Sequence, residues 1–124
     1  MRRALPVLVL ALAGCGSSDE EQVRNAVNDY RDAFLEGDAA GTCSHFTEKS
    51  RREFASSRGR PTCRDAVAQA RDGLSAEDRA EFRGLRVDRV KVDGDQAVVT
   101  LAAPGTRRVT GWRMVKIEGT WLLD

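Results

Sequence analysis

The chain reads as an α+β domain in which helices come first and an antiparallel sheet comes last. Three observations carry this. Apolar residues recur every three or four positions up to about residue 70, the period shortens to two near Gly84, and hairpin signals then punctuate the remainder. A helical first half followed by consecutive strands places the helices on one face of a four-stranded meander.

The first helix is expected over residues 19–36. Val23, Ala26, Val27, Tyr30, Ala33 and Phe34 form one apolar stripe, Ser18 or Asp19 can cap the N-terminus, and Glu20 and Glu21 suit its positive end. Gly37 ends the helix and Asp38 can open the next segment. Residues 39–56 read as one further helix with Cys43, Phe46, Ser50 and Phe54 on a shared face. Arg58-Gly59-Arg60-Pro61 breaks the run. Thr62 with Asp65 resembles a capping box, and Cys63, Ala66, Val67 and Ala70 continue a stripe that Gly73 closes. Ser75 with Asp78 begins a short segment through Glu81.

The strands follow. Leu85, Val87, Val90 and Val92 alternate except for one slip, the signature of a bulge between Val87 and Val90. Asp93-Gly94 is a hairpin turn leading into 97–101. Ala102-Ala103-Pro104-Gly105 turns the chain into a long strand from about Thr106 to Ile117, and Glu118-Gly119 turns it into the last one. A two-residue turn there pairs Ile117 with Thr120, Lys116 with Trp121 and Met114 with Leu123. Trp112, Met114, Trp121 and Leu123 then share one face, and Val115, Ile117 and Leu122 the other. With both faces apolar, one packs on the helices; a second copy of the chain, as a homodimer, or sheet curvature would cover the other.

Composition excludes some functions. Arg2 and Arg3 precede Cys15, so the chain after it carries 19 acids against 18 bases, a net of −1. Acids cluster from Asp19 to Asp38 and bases from Lys49 to Arg64, which reads as two solvated helix faces. The basic run lacks the interleaved aromatics and overall excess of a nucleic-acid site, so no nucleic-acid partner is expected. No nucleophile elbow, Walker loop or dinucleotide fingerprint occurs, and no cofactor or metal is expected.

The opening residues are the most specific signal. Arg2-Arg3, a short apolar run from Leu5 to Ala13 bent at Pro6, and Leu12-Ala13-Gly14-Cys15 have the layout of a cleaved export signal, too short for a permanent span. The segment resembles a bacterial lipoprotein signal. That implies a leader at 1–14, a lipidated Cys15 with a tether through residue 18, and a domain at 19–124 on the extracytoplasmic face of the cell membrane. In that compartment Cys43 and Cys63 are expected to form a disulfide; two buried thiols are the alternative, and a metal pair joined by His45 is the poorer one.

Helix 1 ending Phe34-Leu35-Glu36-Gly37-Asp38, and the closing run from Gly111-Trp112 to Gly119-Thr120-Trp121-Leu122, add a second likeness. Together with Cys15 they resemble small actinobacterial-type lipoproteins of the nuclear-transport-factor-2-like (NTF2-like, cystatin-like or SnoaL-like) fold. The resemblance implies a curved sheet wrapped round helix 1 as a cone with a pocket at its open end. It transfers no catalytic residue to this chain.

Two function classes follow. The first is a noncatalytic module, anchored through Cys15, that binds a protein partner or a small apolar ligand in a pocket of Tyr30, Phe34, Trp112, Met114 and Trp121. The second is a small isomerase- or dehydratase-like enzyme in which Tyr30 donates a hydrogen bond, or His45 acts as acid/base, beside a buried carboxylate. Tyr30 and His45, each the sole residue of its type, read more simply as a core phenol and a helix-packing imidazole. Tryptophan packing is likewise the plainer use of Trp112 and Trp121.

Overall fold

The computed structural model describes residues 18–103 and 109–124. The leader, Cys15, the turn at Pro104-Gly105 and the strand start at Thr106 lie outside the described residues. Helix α1 (Asp19–Glu36) begins where Ser18 Oγ accepts the Glu21 N–H at 3.2 Å. It ends where Gly37, at φ 79°, lets the N–H of Gly37 reach Phe34 O and that of Asp38 reach Ala33 O. Side-chain caps also start α2 (Ala39–Ser44, Asp38), α3 (Glu48–Ser57, Thr47), α4 (Cys63–Asp72, Thr62) and α5 (Ala76–Arg83, Ser75).

The single helix expected over 39–56 is two helices. His45, Phe46 and Thr47 leave the helical path to meet the last strand: Leu123 N–H donates to His45 O at 2.7 Å, and Thr47 N–H donates to Leu123 O at 2.8 Å. A helix cannot keep its own ladder and supply these bonds at once, so the chain breaks and restarts. Thr47 does the restarting. Its hydroxyl accepts the Ser50 N–H at 3.2 Å while donating to Asp124 Oδ1 at 3.1 Å, which satisfies a residue only 6% exposed.

Strands β1 (Arg86–Asp93), β2 (Gln96–Ala102), β3 (Val109–Ile117) and β4 (Thr120–Leu123) form one antiparallel sheet in the order β1-β2-β3-β4. The register slips between Val87 and Arg89, a bulge. Asp93 pairs with Gln96, so the first hairpin loop is Gly94-Asp95, one residue beyond the expected Asp93-Gly94. Gly94 takes φ 59° at the first loop position, which glycine tolerates best. Glu118 and Gly119 both have positive φ, 50° and 80°, and pair Ile117 with Thr120.

The expected cone is absent. The sheet is open: β1 and β4 are its two edges and do not meet. Consecutive hairpins pair each of the four described strands only with its neighbours in sequence, so nothing hydrogen-bonds β1 to β4. Each edge is instead engaged from the helical side. Arg24 Nη1 donates to Val87 O at 3.1 Å and Arg31 Nη1 to Leu85 O at 2.8 Å along β1, and His45–Thr47 run beside β4.

One sheet face packs on α1. Val23 and Val27 meet Ala97, Val99, Leu101, Met114, Trp121 and Leu123, so the tryptophan-bearing face is the buried one. On the other face Val98 and Ile117 are nearly half exposed. A second cluster joins Phe34, Cys43 and Val67 beneath α4. Here Cys43 and Cys63 are bonded, with Cα atoms 6.2 Å apart, tying α2 to α4 across 20 residues of sequence. Neither sulfur is then available to a metal.

The cross-link restricts the unfolded chain and is worth about 3 kcal/mol for a loop of this length. The double variant Cys43→Ser/Cys63→Ser should therefore melt roughly 10–15 °C lower under oxidising conditions. Reductant should lower the parent to the same midpoint and leave the variant unmoved. Equal midpoints for oxidised parent and variant would remove the bridge from the stability account.

Candidate functional site

Strand β4 is much shorter than its neighbour, and an aromatic-lined cleft occupies the gap this leaves. Strand β4 pairs with β3 only from Met114 to Ile117. Residues 109–113 of β3 have a strand on the β2 side alone. Helix α3 stands across the gap. Between them lies a cleft of about 460 Å³, with Tyr30, Phe46, Phe54, Trp112 and Leu123 as its apolar lining and Ser50, Gly111, Arg113 and Asp124 on its polar parts.

Tyr30 is the hub. The α1 stripe carries it between the sheet and the 45–47 connector. There its ring meets Phe46 edge-on at 5.4 Å between centroids and Trp112 at 5.5 Å, with planes 75° and 82° apart. Phe46 and Phe54 stack at 5.9 Å, and Arg58 lies over the Phe54 ring at 5.4 Å. Burial pushes the Tyr30 phenol up to about 12. Across the neutral range it is therefore a protonated hydrogen-bond donor and no base.

The backbone of β3 adds polar groups. Asp124 N–H donates to Arg113 O at 3.0 Å, so Arg113 turns its carbonyl to the β4 side. Ladder alternation then turns the N–H and C=O of Gly111 to that side too, beyond the end of β4 and into the cleft. A Cβ placed on Gly111, on the sheet face opposite Trp112, would meet nothing within 4 Å. Two residues with charged side chains, Asp124 and Arg113, border the cleft, and Arg113, paired across the ladder with Val98, sends its side chain to the sheet face away from Trp112. Asp124 is engaged by Thr47 Oγ1 and by Lys49 Nζ at 3.6 Å. Arg113 is exposed and has no ion-pair partner among the described residues.

Of the five residues assigned to a pocket from sequence, Tyr30 and Trp112 line this cleft. Phe34 packs on Phe82 at 4.9 Å in the second cluster, and Met114 and Trp121 are 3% exposed beneath α1. The parity that put Trp112, Met114 and Trp121 on one face is the parity that buries the last two. Phe46, Ser50, Phe54 and Arg113 were missed as lining residues. The shared face of 46, 50 and 54 is the signal for the first three, and nothing in the local pattern marks Arg113.

His45 touches Tyr30 edge-on, with centroids 6.4 Å apart. It opens onto a different depression, shared with Asn25, Asp29 and Trp121. Burial lowers its pKa from the ordinary 6.5, and the Asp29 carboxylate pulls it back upward. The acidic run of α1 and the basic run after Lys49 make no ion pair with each other among the described residues; Glu20, Asp32 and Glu48 pair locally instead. No group of three metal-ligating side chains occurs among the described residues, and no helix there is long and apolar enough to cross a membrane.

A depressed histidine favours the neutral ring, so the His45 contribution to stability is complete above about pH 6.5 and is lost as pH falls through the folded value. In an NMR titration the His45 midpoint should lie below 6.5, and Asp29→Asn should lower it further. An unchanged or higher midpoint in the variant would contradict the Asp29 assignment.

No family model, no curated protein and no solved structure matches the chain. The likeness to nuclear-transport-factor-2-like lipoproteins is accordingly corrected: no match supports it, and the sheet is an open four-stranded meander where that fold curls into a cone. The chain is a small α+β domain with helices on one face of an open antiparallel sheet.

Proposed function

We propose that this domain is a noncatalytic binding module, carried outside the cytoplasmic membrane on a lipid attached to Cys15, that takes a small apolar ligand into the cleft beside β3. The cleft carries the reading. Its volume is about 460 Å³, within the range of small-molecule sites, and it combines an aromatic lining with a few polar groups. The anchor rests on the order of Arg2-Arg3, the apolar run and Leu12-Ala13-Gly14-Cys15.

Binding is favoured over isomerase or dehydratase chemistry by how the titratable groups are distributed. Tyr30 and His45 line different depressions. The carboxylate sharing the cleft with Tyr30 is Asp124, which Thr47 and Lys49 already engage. Beside His45 stands Asp29, which is exposed to water, so neither depression pairs a reactive group with an enclosed carboxylate.

The neutral dye N-phenyl-1-naphthylamine should gain emission on binding the domain and quench Trp112. Ser50→Trp, which places bulk in the cleft from α3, should weaken the dye by roughly tenfold or more, with Trp112→Leu as a second variant should the first not fold. Failure of the parent to bind the dye would overturn the ligand reading. Separately, Cys15→Ser should move the protein from the membrane fraction to the soluble one; retention would overturn the anchor.

A further inference from the structure

We propose that the uncovered face of the sheet is a self-association surface: two copies of this chain pack face to face about a two-fold axis that crosses the strands at right angles. The inference is independent of the cleft, whose aromatic lining lies on the opposite face.

Ladder alternation defines the surface. Lys91, Val98 and Arg113 share one rung, Asp93 and Val115 the next rung toward the hairpin loops, and Arg89 and Gly111 the next rung away from them. The helices pack on the other face, and here Val98 and Ile117 stay 48% and 46% exposed. Three of the four strands run seven to nine residues. At ~4.8 Å between strands and ~3.3 Å per residue the face measures roughly 20 by 23 Å. Covered on two copies, it buries on the order of 1,000 Å², which suits a weak dimer.

Charge selects the occupant. Lys91 and Asp93 are exposed, two residues apart on one side of β1, and neither makes an ion pair among the described residues. Along the strands the signs separate. Asp93, Asp95 and Glu118 stand at the end with the two hairpin loops, and Arg86 and Arg89 stand toward the other. An axis passing between the Asp93 and Lys91 rungs reverses the second copy and sets each Lys91 over the partner's Asp93. Symmetry makes this pairing twice. The same operation sets each Ile117 over the partner's Gly111, whose missing side chain leaves open space for it. Arg113 lays its aliphatic stem along the partner's Val115. An axis along the strands would instead bring the two acidic ends together. An anionic membrane would meet those same acids, with Asp19 added, since Lys116 holds it at that end at 3.0 Å.

Sedimentation equilibrium of the purified protein, from micromolar to near-millimolar concentration, should show a monomer–dimer equilibrium that salt weakens. Lys91→Glu alone, or Asp93→Lys alone, sets like charges opposite each other and should weaken the dimer about tenfold or more. An equimolar mixture of these two variants should recover association, because each presents the charge that the other lacks. The double variant Lys91→Glu/Asp93→Lys should associate as the parent does. Val98→Asp should abolish the dimer, with Ile117→Thr as a second variant should the first not fold. A monomer at every concentration would overturn the inference, and one that pellets with phosphatidylglycerol vesicles would give the face to a membrane. A dimer indifferent to these substitutions, or single variants that fail to complement each other, would overturn it as well.

Discussion

The hydrogen-bonded clamp between Leu123 and the His45–Thr47 connector is the constraint on which the rest of the architecture depends. Leu123 is paired on one side with Met114 and on the other with the connector, and its side chain is buried in the main core. Three consequences follow from this one arrangement. The helical run after Asp38 must split, since its middle residues are needed as an edge partner for β4. Helix α3 restarts at Thr47 in a new direction. Phe46 is set against Tyr30, which brings Phe54 and the wall of the cleft with it. Without the clamp, α3 would have no reason to stand across the unpaired part of β3.

The clamp also explains what was legible in the sequence and what was not. Features governed by near neighbours could be read. Ser18 as a cap, Gly37 as a left-handed stop, Thr62 with Asp65, the slip after Val87 and the Glu118-Gly119 register each depend on residues within a few positions. The break at 45–47 could not be read, because the residue that causes it lies 76 or more positions away. Nothing in the local pattern from Ala39 to Ala55 marks Phe46 as non-helical. The same remoteness hid the cleft. It arises from a difference in length between two strands together with the placement of α3, so its lining residues come from four separated stretches of chain. The cone is what the family resemblance implies, and the residues that carry that resemblance do not state whether a sheet curls.

Aromatic residues divide between two duties here, and their depth decides which. Trp121, under α1, contributes packing alone, with the Lys116 ammonium 5.9 Å over its ring while that lysine also pairs with Asp19 at 3.0 Å. Trp112 belongs to the same inner face but stands beyond the end of β4, so its ring is part core and part cleft wall. Tyr30 sits between the two regimes. Its edge contacts with Phe46 and Trp112 fix the ring, and the desolvation that raises its pKa leaves the phenol neutral. Edge contacts on two sides of one ring tie the helix, the connector and the sheet together at this point.

The two arginines of α1 that reach β1 have a further effect. Arg24 and Arg31 stand seven residues apart, two helical turns, and so lie along one line of α1 beside the strand. By occupying Val87 O and Leu85 O they consume acceptors that an intruding strand from another molecule would otherwise use, while the bulge after Val87 spoils its spacing. Two acceptors at the start of that border are thereby withdrawn from strand addition, as the connector withdraws both backbone groups of Leu123 on the opposite one.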